Sequence, residues 1–139
     1  MKEIDITTHS FRGDGSHKTI KDMVGQTFNK VYQCENSDGN DALVFENSES
    51  IFVFSHWQDC CENVYIQDIV GYLNDLIDSP LLVAAVESKD DLNASESGTW
   101  TFYKFATIKG WVDVRFHDSS NGYYSEGVSF NYVSKKDMQ

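Results

Sequence analysis

Positive charge is scarce in this chain. Of its 139 residues, 22 are Asp or Glu and only 11 are Lys or Arg, a formal net charge of −11. Two of those cations are arginines, Arg12 and Arg115. The deficit argues against double-stranded DNA or an anionic membrane as a partner, since both are held by many neutralising Lys and Arg side chains. An acidic protein that takes a phosphorylated ligand must use a few well-placed cations. Proline occurs once, at Pro80, which agrees with regular structure over most of the length. The cysteines are Cys34, Cys60 and Cys61. An odd number with two adjacent argues against a disulfide framework and fits a reducing compartment. No apolar run approaches the roughly 20 residues that span a bilayer, and the start of the chain lacks the apolar core of a signal peptide. The expectation is a soluble protein of the cytoplasm.

Catalytic signatures are also missing. There is no phosphate-binding glycine loop, no Gly-x-Ser-x-Gly and no His-Glu-x-x-His. His56-Trp-Gln-Asp-Cys-Cys-Glu62 gathers His, Asp, Cys and Glu, but its cysteines are adjacent and no second Cys or His pair follows at finger spacing, as a zinc site would want. A Cys–His nucleophile pair in the same segment has no evident activator. A corner between strands, with the cysteines packed as small apolar groups, accounts for it better. The expectation is no enzyme, no metal and no cofactor.

What is present is a hydrophobic content of 40%, with 14% aromatic, enough for one folded domain. Residues 1–15 read as a flexible arm, 16–134 as a single α+β domain and 135–139 as a polar tail. Ser16 is placed to cap a short N-terminal helix over 17–24, with Gly25 at its end. Period-two patterning then predicts strands over 28–34, 42–46, 51–57 and 63–67. Ile69, Val70, Leu73, Leu76 and Ile77 recur at three and four, which predicts the one main helix, begun by Asp68 and stopped at Ser79-Pro80. A short apolar strand over 81–86 and a loop over 88–97 follow. Two long strands turn at Lys109-Gly110, and a third begins at Tyr123. The sum is a curved antiparallel sheet packed on one main helix, plus the short N-terminal helix.

Arg115 sits in the densest aromatic block of the chain, running from Gly98 to Tyr124. Joining the side Tyr124, Val128, Phe130 and Tyr132 to Val112, Val114 and Phe116 requires an odd loop, which Ser120-Asn121-Gly122 supplies. In that register Arg115 faces Gly127, His117 faces Ser125 and Asp113 faces Ser129, a fixed cation above a floor of small residues. The competing account is a surface ion pair of Arg115 with Asp113 or Glu126, worth under about 1 kcal/mol. Trp100 continues the face of Phe102, Ala106 and Ile108 and is expected in the core. Trp57 ends a strand beside polar residues and is the better base-stacking candidate.

From about Phe52 to Phe130 the wording of the chain resembles a family of small bacteriophage proteins. The matching stretches are the segment 56–62 quoted above, Ile69-Val-Gly-Tyr-Leu-Asn-Asp-Leu-Ile77 followed by Ser79-Pro80, Thr99-Trp-Thr-Phe-Tyr-Lys-Phe-Ala-Thr-Ile-Lys-Gly110, Val114-Arg-Phe116 and Ser119-Ser-Asn-Gly-Tyr-Tyr-Ser-Glu126. The family is the phage Thoeris anti-defence proteins of the first type. The resemblance implies a sponge that binds, without cleaving, cyclic ADP-ribose isomers and in some members cyclic oligonucleotides, in the host cytoplasm, as a homodimer or higher homo-oligomer. It implies a ligand set of an arginine, an aromatic stacker and an asparagine. Arg115 carries the first role, with Trp57 and Asn93 for the others and His117, Asn121, Lys104 and Lys109 as further candidates. A rival reading rests on the net charge alone: an acidic phage decoy that captures a host defence protein.

Overall fold

The computed structural model describes residues 19–35, 39–55, 63–90, 97–120 and 129–134. Within them the fold is two four-stranded antiparallel sheets packed face to face. Strands β1 (Lys30–Glu35), β2 (Asp41–Glu46), β3 (Ser50–Ser55) and β8 (Ser129–Ser134) form one sheet in the order β1-β2-β3-β8. Strands β4 (Asn63–Val70), β5 (Val83–Asp90), β6 (Ser97–Thr107) and β7 (Gly110–Ser120) form the other, in the order β4-β7-β6-β5.

This overturns the expected sheet on a helix. Among the described residues the only helical pieces are two four-residue 3-10 turns, Ile20–Met23 and Leu73–Leu76. The first is shorter than expected and begins after Thr19, whose backbone N–H donates to the Asp22 carboxylate at 2.6 Å. Where the main helix was expected, strand β4 runs on to Val70 and the chain turns at Gly71, φ +105°. A Cβ there would lie 2.5 Å from the carbonyl oxygen of Trp111, so this position needs glycine.

The core is aromatic. Phe28, Phe45, Phe52, Phe54, Phe105 and Phe116 are fully buried, and Tyr103 nearly so. Phe45 and Phe105 meet across the two sheets at 4.7 Å between centroids, as do Phe54 and Tyr103. Strands β2 and β3 are buried on both faces: Leu43, Phe45, Phe52 and Phe54 look into the sandwich, while Ala42, Val44, Ile51 and Val53 form a second cluster on the other side. Their near-continuous apolar sequences suit strands with no solvent face.

The third strand of the expected meander belongs elsewhere. Strand β8 pairs with β3, setting Phe130 opposite Phe54 and Tyr132 opposite Phe52. Phe130 and Tyr132 do reach the core, through the first sheet rather than beside β7. The partners of β7 are β4 and β6. The hairpin of β6 and β7 closes from Thr107 to Gly110, near the expected turn.

Candidate functional site

The outer face of the second sheet carries the candidate site. Strand alternation on β7 turns Val112, Val114 and Phe116 inward, all essentially buried, and leaves Trp111, Asp113, Arg115 and His117 on the other side. On β6 the inward residues are Thr101, Tyr103, Phe105 and Thr107. Register places Lys104 opposite Asp113, Phe102 opposite Arg115 and Trp100 opposite His117. Trp100 is therefore not the core residue expected from the sequence. It lies half-buried on the outer face, its ring 4.4 Å from that of His117. On β5 the same face continues with Ala85, Glu87 and Lys89, opposite Lys104, Phe102 and Trp100.

Arg115 does not overlook small residues. Its register partners are Phe102 on β6 and Asp68 on β4. The guanidinium lies over the Trp100 ring, with Cζ 5.2 Å from the centroid, a cation–π contact of about 0.5–1 kcal/mol at an exposed site. Its Nε–H donates to the side-chain carbonyl of Gln67 at 2.7 Å. Its Nη2 stands 4.0 Å from the Asp68 carboxylate, both side chains about half exposed. Such a pair is worth under about 1 kcal/mol, little enough for a phosphate oxygen to displace.

A concavity of about 510 Å³ opens here, lined by Asp68, Phe102, Lys104, Asp113 and Arg115 with Ala85, Glu87 and Lys89 along its β5 side. The volume falls within the usual range for small-molecule sites. Three carboxylates and three cations line it, Asp68, Glu87 and Asp113 against Lys89, Lys104 and Arg115. The floor is thus charge-balanced in a protein of net charge −11. Cations for an anionic group sit beside carboxylates able to accept from hydroxyl or amino groups.

Of the expected ligand residues, Arg115 and Lys104 line the concavity. Lys104 is exposed, with Nζ 5.6 Å from the Trp111 centroid. His117 is half-buried on the same face, between the rings of Trp100 and Tyr65. Lys109 is not brought in: it sits at the β6–β7 turn and donates to the Ile77 carbonyl at 2.8 Å. Trp57, Asn93 and Asn121, with the arm 1–15 and the segment 56–62, lie outside the described residues. Among the described residues no cluster of His, Cys, Asp and Glu could hold a metal ion, and no helix is long and apolar enough to cross a membrane.

Sequence reasoning missed Trp100, Phe102, Gln67, Asp68, Glu87 and Lys89 as site residues. One signal was available for the first two. Trp100 and Phe102 share their strand face with Lys104, and a buried face does not take an unpaired lysine.

A family match covers residues 20–130, from the first 3-10 turn into β8 and so across both sheets; its description is a domain of unknown function, DUF7448. The chain belongs to the DUF7448 family. No curated protein and no solved structure matches it.

Proposed function

We propose that this protein is a phage anti-defence sponge: it binds and sequesters, without cleaving, a nucleotide immune second messenger. The messenger is a cyclic ADP-ribose isomer or a cyclic oligonucleotide, as the resemblance to the first type of Thoeris anti-defence protein implies. Binding in the host cytoplasm withholds it from the immune effector. The observation that carries this reading is Arg115, laid on Trp100 at the edge of a concavity of small-molecule size.

The chemistry runs from there. A guanidinium presents a planar fork of N–H donors that matches phosphate oxygens two at a time, which lysine cannot do. Hydrogen bonds to charged groups contribute about 1.5–3 kcal/mol each, more than the loose Asp68 pair they replace. Phe102 and Trp100 offer apolar ring surface on the same face for a base, where stacking is worth roughly 1–3 kcal/mol. Lys104 adds charge, and Asp113 and Glu87 suit ribose hydroxyls. Closing the concavity between two copies of the chain would exclude more water and tighten binding.

The test is recovery. Messenger is incubated with excess protein, the protein is denatured by heat, and the supernatant is assayed. Sequestration returns intact, active messenger in full. Return of a cleaved product contradicts the proposal and makes the protein a hydrolase.

A further inference from the structure

Strand β4 contains an irregularity at the point where it meets Arg115. Its pairing with β7 runs Tyr65–His117 and Ile66–Phe116, then resumes at Asp68–Arg115, leaving Gln67 as an extra residue. A β-bulge of this kind sets two residues of one strand against one of its partner and re-aims a side chain. Ile66 and Ile69 both pack on the core, so the two residues between them, Gln67 and Asp68, both come to Arg115. An unbroken strand would have turned one of them inward.

We infer that Gln67 is the positioning residue of the site: the bulge exists to bring its side-chain carbonyl to Arg115 Nε, fixing the guanidinium plane so that the Nη groups present to an anion in the concavity. This rests on the reading of Arg115 as the anion ligand. Nε is committed to Gln67 at 2.7 Å, one face of the guanidinium lies over Trp100, and the exchangeable contact is the 4.0 Å approach of Asp68 to Nη2. A neutral acceptor suits the role. It holds Nε without cancelling the charge, whereas a carboxylate in its place would compete with the ligand. The anion class that fits is a phosphate or pyrophosphate group, bound through Nη1 and Nη2. Arginine side chains lose less freedom per hydrogen bond when the fork is pre-organised.

The test separates positioning from binding. With two arginines in the chain, the Nε–Hε region of a ¹⁵N–¹H spectrum holds two resonances, and Arg115→Ala assigns them. Solvent exchange of the Arg115 Hε is measured in the full-length wild type, in Gln67→Leu, which removes the acceptor, and in Gln67→Glu, which keeps one. Affinity for inorganic pyrophosphate is measured for the wild type, Gln67→Leu and Arg115→Ala. The expected result is an Arg115 Hε that exchanges at least about tenfold more slowly in the wild type and in Gln67→Glu than in Gln67→Leu. In Gln67→Leu that protection is lost and pyrophosphate binds about tenfold more weakly, with the backbone spectrum otherwise preserved. Unchanged protection in Gln67→Leu overturns the inference. So does unchanged pyrophosphate affinity in Gln67→Leu when Arg115→Ala abolishes binding, an outcome that leaves the anion site itself standing. If Arg115→Ala also binds pyrophosphate as the wild type does, the anion site falls and this inference with it.

Discussion

At the scale of single residues, Arg115 is distinguished by how few alternatives the molecule has. It is one of two arginines in an acidic chain, and it is oriented on three sides by Gln67, Asp68 and Trp100. Arg115→Lys keeps the charge and loses the fork. The expected outcome in calorimetry with the messenger is an affinity at least about tenfold weaker, or about 1.4 kcal/mol. The urea midpoint should hardly move, since exposed substitutions stay within about 0.5 kcal/mol. Gly71 is the contrasting case, where backbone rather than chemistry decides. Its φ of +105° and the 2.5 Å approach of a Cβ to the Trp111 carbonyl make Gly71→Ala destabilising by about 1–3 kcal/mol, read as a lower urea midpoint. Gly71 directly follows Val70, which lines the concavity, so messenger affinity should fall as well.

At the scale of elements, the second sheet is a platform with an aromatic back. Phe105 on β6 is fully buried and meets both Phe45 and Phe54 of the first sheet. Phe105→Ala should lower stability by about 3–5 kcal/mol in a urea titration, the range for deleting a buried ring. The same elements show how far the sequence could be read. Most of the strands were legible from period two, and so was the β6–β7 hairpin. The main helix was not, and the reason is local. Ile69 reaches the core because the bulge at Gln67 shifts the alternation of β4, and Leu73, Leu76 and Ile77 follow because a 3-10 turn carries them onto it, while Val70 stays exposed. A bulged strand followed by a tight turn reproduces the apolar spacing of a helix. Gly71, which only the turn requires, was the clue against it. The partner of β8 was illegible for a different reason. Alternation fixes which side of a strand is apolar, but Phe130 and Tyr132 satisfy it equally well against β3 or β7. Of the candidate site, the placement of Arg115 and of the outward row of β7 was legible, and Lys104 stood among the expected ligand residues. The contributions of β4 and β5 were not, because cross-strand neighbours far apart in sequence leave no local pattern.

At the scale of the whole molecule, the charge balance of the concavity separates the two readings of the acidic chain. Three carboxylates offset three cations at its lining, while the chain as a whole carries −11. A small ligand held by short contacts on that floor is screened little by added salt. An acidic decoy attracting a basic host protein through its overall field loses affinity steeply as ionic strength rises. Retention of the messenger should therefore change only a few-fold between low and physiological salt, measured by equilibrium dialysis. The most direct test of the central claim is native mass spectrometry of the wild type and Arg115→Ala after mixing each with a nucleotide extract from immune-activated cells. The account predicts a wild-type protein carrying the mass of a cyclic nucleotide, released unaltered on denaturation, and a folded Arg115→Ala protein carrying none. Equal bound mass on both proteins would contradict it.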